Sequence, residues 1–335
     1  MMFFALITLC AIAALMAVPG RACARTHSFF ITEEQGYNGM LRADIPPALT
    51  IDDGDTVVFN TLMLLGGKLS PEMTFDEMFA VRGGMIEKGL GTYAFTGPFY
   101  INGAEPGDVL EVQVKRLVPG KHAVTHIYPD PLGIGGLPEG FDKGWLKGIY
   151  LSEDRKSFEF VPGVTIPVRP FLGTMVVAPK AGEIRPPAVP GYFAGNMDNK
   201  ELVAGSTLYI PVNVQGALFM AADAHAAQGD GEVSIAAAET YFEEAELKFV
   251  VRKDMKLSYP MAETPTHWIT MGFHKDLDEA MKIAIRESVA FLMREKGLSR
   301  QEAYSLCSLA ADFHVTQVVD GDKGIHGMIP KSIFI

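Results

Sequence analysis

The chain has 335 residues, a net charge of −11 and a 48% hydrophobic content, enough to bury one large core or two modest ones. An acidic balance with no basic run excludes nucleic acid and anionic membrane surfaces as principal partners, and it favours a neutral or cationic substrate. Of three cysteines, Cys10 and Cys23 lie in the first 24 residues. Cys307 alone remains for the folded part, which excludes an intramolecular disulfide and a Cys-based zinc site there.

Residues 1–24 read apart from the rest. Phe3 to Val18 is an almost unbroken apolar run, Pro19-Gly20 ends it, and Ala22-Cys23-Ala24 puts small residues where a signal peptidase reads. The run is short for a membrane span. No Lys or Arg precedes it, so an uncleaved anchor is the alternative. The expectation is an exported protein, periplasmic or secreted, with no stable membrane insertion once the leader is removed. Removing 24 of the 335 residues leaves 311; Arg21 is the leader's single charge, so the mature chain stands at −12.

Residues 25–335 read as one domain, mainly β (sandwich- or barrel-like, α+β), with a small helical element near the C-terminus. Period-2 alternation predicts strands at Thr56–Asn60, Val109–Leu117, Leu208–Val214, Val233–Ala237 and Leu247–Val251. Asp53-Gly54-Asp55, Pro106-Gly107-Asp108 and Ala204-Gly205-Ser206 each precede a strand and read as turns. In such a turn glycine takes a positive φ and the next side chain bonds nearby backbone. From Pro119 to Pro190 the density of Pro and Gly predicts long connections that wall a cleft or form irregular β-loops. Beyond about residue 252, apolar positions at helical spacing predict a helix over Asp276–Glu295 ended by Gly297. Ser299-Arg300-Gln301-Glu302 has capping-box form and opens a second helix to about Ala311. Cys307 falls on that helix and reads as a small buried hydrophobe, with a reactive thiol as the alternative.

Chemistry concentrates in Asp223-Ala224-His225-Ala226-Ala227-Gln228-Gly229-Asp230-Gly231-Glu232. If Asp223 to His225 is extended, both side chains leave the same face, and the same holds for Asp230 and Glu232. Two same-face pairs, with glycines between them that let backbone approach a ligand, suit metal binding or acid–base work. The alternative is a polar turn whose acids cap backbone amides. Asn196 and Asp198, in Gly195-Asn196-Met197-Asp198-Asn199, can ligate a metal, bond a substrate or form an Asx-turn. His122 and His126 have i,i+4 spacing, but the flanking prolines predict a loop; His267, His274, His314 and His326 are isolated. No Walker loop, dinucleotide fingerprint or Gly-x-Ser-x-Gly elbow occurs.

Several segments together resemble one known family. Gly103-Ala104-Glu105-Pro106-Gly107-Asp108-Val109-Leu110 and Arg169-Pro170-Phe171-Leu172-Gly173 with Val177-Ala178-Pro179 are similar to its motifs. So are Gly195-Asn196-Met197-Asp198 and the block from Gly205 to Glu232, and Glu302-Ala303-Tyr304 and Pro330-Lys331 fit its C-terminal part. On these residues the chain resembles the acetamidase/formamidase family. The resemblance implies a mostly β fold and a hydrolase releasing ammonia from small linear amides. It also implies a divalent-metal site, zinc or calcium, and a homo-oligomer. It points to Asn196, Asp198, Asp223, His225, Asp230 and Glu232. Asp198, Asp223 and His225 are expected to ligate the metal. Glu232, His225 and Asp230 are expected to do the catalytic proton work, and Asn196 and Gln228 to bind substrate. An unactivated amide needs both a strong nucleophile and a proton for its departing amine, which metal-activated water and a carboxylate would provide.

Two departures stand near the N-terminus. No histidine lies between Tyr37 and Asp44, and Met63 stands where the family carries an acid. They raise the alternative of a catalytically altered or inactive small-ligand-binding protein on the same fold.

Overall fold

A computed structural model of the protein describes residues 24–137 and 139–335. All but Ala24 of the leader read over residues 1–24 lies outside the described residues. None of the helices among those residues is long and apolar enough to cross a membrane.

Two large open sheets face each other. The first has nine strands, ordered Thr26–Phe29, Thr56–Phe59, Phe242–Arg252, Val109–Pro119, Thr207–Pro211, Met261–Glu263, His267–His274, Lys323–Pro330 and Asp312–Gln317. In the second, Ala194–Asn196, Phe171–Val176, Phe219–His225, Glu239–Thr240, His122–Ile127 and Trp145–Tyr150 follow in turn. Thr96–Ile101 pairs with the start of Phe219–His225, and Leu49–Ile51 runs parallel to Thr96–Ile101. The inner faces bury one continuous core, in which Val57, Phe59, Val112, Leu247 and Phe249 of the first sheet meet Phe99, Leu172, Met175 and Phe219 of the second. Phe99, Phe219 and Phe249 pack with centroids 5.0–6.3 Å apart, a separation at which aromatic pairs attract beyond their area burial. The expected mainly β sandwich is present, and neither sheet closes into a barrel.

The helical pair lies where the pattern placed it, as α2 (Leu277–Lys296) and α3 (Arg300–Ala310), once α1 (Phe75–Glu87) is counted first. Asp276 caps α2, Gly297 ends it in the left-handed region, and Ser299 with Glu302 forms the capping box of α3. Cys307 is buried between α3 and the first sheet, among Leu292, Ala303 and Ile329. Burial raises its thiol pKa, which works against a thiolate there. The three glycine turns form as expected: Gly54, Gly107 and Gly205 have φ near 92°. Asp55, Asp108 and Ser206 bond backbone within three residues.

Three local expectations fail. Helix α1 was not predicted, because Gly83-Gly84 breaks its pattern; its signature was nevertheless present, since Thr74 and Glu77 make a capping box. Val233–Ala237 is a turn in which Ile235 takes φ 72°, and Val233 at its start is exposed, so the alternation here reflects neither pairing nor a buried face. His122–Ile127 is a strand bonded to Trp145–Tyr150 and Glu239–Thr240, so i,i+4 spacing here means one face of a strand.

Candidate active site

The centre of the second sheet carries the cluster. Phe219–His225 runs between Phe171–Val176 and Glu239–Thr240, with His225 opposite Phe171 on one side and Glu239 on the other. Asp223 and His225 leave the same face, as alternation predicts, and His225 Nε2 is 3.4 Å from Asp223 Oδ1 and 3.2 Å from Glu239 Oε2. Asp198 enters from the turn after Ala194–Asn196, and Glu232 from the loop after Gly231. Asp320 enters from the turn joining the last two strands of the first sheet. Asp198, Asp223, Glu232, Glu239, Asp320 and His225 are all at least 91% buried. Asp198, Asp223 and Glu232 take φ of 50°, 61° and 41°. Left-handed backbone at three site acids is local strain of the sort that folds hold where function needs it.

Gly173 lies beneath the cluster. A Cβ there would sit 2.6 Å from Asp223 Oδ2 and 2.9 Å from His225 Cε1, and would strike Asp198 Oδ1 as well. The glycine of the Phe171-Leu172-Gly173 motif is therefore the floor on which two acids and the imidazole converge.

Hydrogen bonds fix which nitrogen of His225 faces the acids. Gln228 Nε2 donates to the Asp198 carbonyl (2.8 Å), an acceptor only, so Gln228 Oε1 is the atom facing His225 Nδ1 at 2.9 Å. Nδ1 must then carry the proton, and Nε2 points at Asp223 and Glu239. Asn196 is likewise committed: it donates to Asp198 Oδ2 (2.8 Å) and accepts from the Thr174 hydroxyl.

The site holds more carboxylate than it can carry bare. Burial, then Asp320 and Asp223, lifts the Asp198 pKa well above the usual carboxylate range. Burial and Asp198 do the same to Glu232, and burial and Glu232 to Asp320. Burial also raises Glu239, although His225 opposes it. For His225 burial pulls the pKa down, but Glu239 and Asp223 more than reverse this and leave it well above the usual imidazole value. Crowded buried acids are stable only when protons are retained or a cation is present.

A divalent cation fits these residues. Asp198 Oδ1, His225 Nε2, Glu239 Oε2 and Asp320 Oδ2 are buried without a hydrogen-bond partner. Two groups, Asp198–His225–Glu232 and Asp223–His225–Glu239, each present ligand atoms within 4.8 Å of one another. One imidazole with several carboxylates is a borderline-to-hard donor set, and Gln228 behind Nδ1 supplies the outer hydrogen bond that ligating histidines use.

The cluster opens into a cavity of about 190 Å³. Leu64, Leu65, Leu69, Ile134, Ile235 and Val319 line it, as do Tyr93, Tyr128 and His126. Met78 and Arg82, one turn apart on α1, complete that wall. Glu232 also lines a second, more open cavity of about 550 Å³ on the far side, together with Arg169, Lys200 and Asp230.

The sequence pattern of the acetamidase/formamidase family matches residues 26–185 and 186–335. The chain belongs to the acetamidase/formamidase family. The solved acetamidase of Bacillus halodurans is 29% identical, superposes with a TM-score of 0.81, and covers 92% of this chain and 98% of its own. The acetamidase of Yersinia enterocolitica is 26% identical, with a TM-score of 0.83 and 94% of each chain covered. A formamidase of Methylophilus methylotrophus is 30% identical over 166 residues, 43% of this chain and 41% of that one. This family member is an amidohydrolase.

Of the residues expected from sequence, Asp198, Asp223, His225 and Glu232 come together. Asp230 does not: Gly231, at φ 93°, turns it away from Glu232, and it pairs with Lys200 (2.9 Å) and His314 (3.2 Å) at the surface. It shares only the second, more open cavity with Glu232. Asn196 and Gln228, expected at the substrate, instead hold Asp198 and His225, because each has its amide oxygen and nitrogen engaged by site groups. Glu239, Asp320 and Arg82 were missed, and His126 was set aside as part of a loop. Glu239 had one signal, a lone acid after Ala236-Ala237-Ala238 in an otherwise small, apolar stretch. Met63, the position noted in the sequence, is buried in the apolar cluster next to Leu65.

Proposed function

We propose that the protein hydrolyses small linear amides to a carboxylate and ammonia with the help of a divalent metal. The carrying observation is the set of four unpartnered buried atoms on Asp198, His225, Glu239 and Asp320, the last three of these residues lining one cavity. Asp198, Asp223, His225 and Glu239 would hold the ion, with zinc or calcium both compatible with the donor set. When bound, the metal lowers the pKa of water and polarises the amide carbonyl. The chain's own part follows from its environments. Gln228 keeps the His225 Nδ1 proton in place, so Nε2 faces the acids in one tautomer. Asn196 fixes the rotamer of Asp198. Glu232, buried beside Asp198, is the proton shuttle: it takes a proton from the attacking water and passes it to the departing nitrogen, and burial and Asp198, which favour its protonated form, help it hold that proton between the two steps. General acid–base assistance of this kind is worth about 10²–10⁴-fold. The apolar walls exclude bulk water, which strengthens each of these interactions.

Export and assembly belong to the same reading. The Phe3–Val18 run supports passage through a membrane, and exposed Tyr304 and Leu309 on α3 offer apolar surface for a homo-oligomer. The test is ammonia release from formamide, acetamide and propionamide by residues 25–335, before and after chelation and with single metals added back. Loss on chelation with recovery on one metal is expected. No release from folded, metal-loaded protein would overturn the reading in favour of a ligand-binding role.

A further inference from the structure

The cavity is larger than a one- or two-carbon amide needs. About 190 Å³ exceeds the roughly 150 Å³ in which an apolar protein cavity binds benzene. Even with a water, about 30 Å³ of liquid volume, placed against the acids, the space beyond them accommodates a chain of several carbons. Leu64, Leu69, Ile134 and Val319 make that space apolar. Its polar features other than the cluster point to charge. Arg82 is half-buried on α1 and rests on the Tyr128 ring, 5.4 Å from the centroid; among the described residues it has no ion-pair partner. His126, 6% exposed, sits edge-on to the same ring at 5.1 Å, and its Nδ1 is buried without a partner. The buried His126 nitrogen costs free energy unless a ligand completes it, and the half-buried Arg82 guanidinium beside it on the cavity wall is left without a carboxylate partner among the described residues.

We infer that the substrate is the monoamide of a dicarboxylic acid, bound with its amide at the carboxylate–histidine cluster and its free carboxylate on Arg82 and His126. The inference rests on the amidohydrolase reading of that cluster and names its substrate class. The substrate's carboxylate cannot sit at the cluster, because five acids surround that end. The opposite end meets the cavity's one arginine, whose planar fork matches a carboxylate in two-point contact. Burial first and Arg82 second lower the His126 pKa to about 4, so at neutral pH it is an uncharged imidazole able to donate one hydrogen bond. The chain's overall negative charge argues for a neutral or cationic substrate, but a direct contact with Arg82 at the cavity wall outweighs distant, screened surface charge.

The experiment compares glutaric acid monoamide with hexanamide, similar in length but uncharged, on wild-type residues 25–335 and on Arg82→Met and Arg82→Lys. Ammonia release and calorimetric binding are both read. The wild type is expected to prefer the monoamide by about 10-fold or more in kcat/KM, the scale of a charge-assisted contact. Arg82→Met should abolish that preference mainly through KM, and Arg82→Lys should recover part of it. Equal or better use of hexanamide by the wild type would overturn the inference, as would a preference unchanged in Arg82→Met. Release from simple amides without that preference leaves the amidohydrolase reading intact and sinks this one. If no amide is hydrolysed, calorimetry still decides: Arg82-dependent binding of the monoamide supports the carboxylate subsite, and equal binding of both amides refutes it.

Discussion

His225 Nε2 lies 3.2 Å from Glu239 Oε2 across two antiparallel strands, yet the pair is not aligned as a hydrogen bond and both atoms are otherwise unpartnered. Two buried groups so close and so poorly satisfied mark a place for a third. Glu239→Gln keeps the shape and removes the charge. It is expected to lower metal content by elemental analysis and kcat/KM by at least about 100-fold, as loss of a ligand or of an activating charge does. Full metal occupancy with normal turnover would remove Glu239 from the site.

Gln228 sets the tautomer of His225 without reaching the cavity itself. Gln228→Ala should leave the fold intact and cost about 10–100-fold in metal affinity or activity, the usual scale for an outer partner of a ligating histidine. Metal titration of wild type against variant checks this; unchanged affinity would mean the ring is held by Phe171 packing instead.

Gly173→Ala tests the floor of the site. The added methyl collides with Asp198, Asp223 and His225, and shifts of about 1 Å in catalytic groups cost about 100-fold. Activity should fall by at least that much. Circular dichroism should still report the β fold, since the substituted strand keeps its pairings. A fully active alanine variant would show that the three side chains converge less tightly.

Metal removal should also be visible in stability. A ligand present at 100 times its dissociation constant stabilises the native state by about 2.7 kcal/mol. Chelation should lower Tm by several degrees and re-addition restore it. A Tm indifferent to chelation would argue that retained protons, not a cation, neutralise the acids.

Acid stability has a defined contributor far from the site. Asp55 accepts from the Arg25 and Asp52 amides and pairs with His27 Nε2 at 2.7 Å. Burial pushes its pKa up, but those amides and His27 together hold it below the usual value. A depressed folded pKa gives stability that is present above the unfolded value, about 4, and is lost as pH falls through the folded value. Asp55→Ala should therefore cost about 1–3 kcal/mol at pH 7 and less below pH 4. Denaturant melts at both pH values check it, and an equal loss at both would refute the linkage.

What the sequence determined was whatever is local. Period-2 alternation found Thr56–Phe59, most of Val109–Pro119 and the second half of Phe242–Arg252; capping residues and Gly297 gave α2 and α3; glycine turns gave their own conformation. Asp223 and His225 share a face because side chains two apart on a strand must. Glu232 stood in the same run of ionisable residues, and motif likeness added weight to Asp198. Only the tertiary structure could bring in Glu239, whose nearness to His225 is a matter of strand register. Asp320 depends on the facing of two sheets, and Arg82 on which side of α1 meets the cavity. The fate of Asp230 was also undecided, because one glycine at positive φ turns neighbouring side chains apart and no periodicity records it. Distances along the chain set hydrogen bonds and faces; convergence of charge from separate strands is set by packing, and that is where the chemistry of this protein was decided.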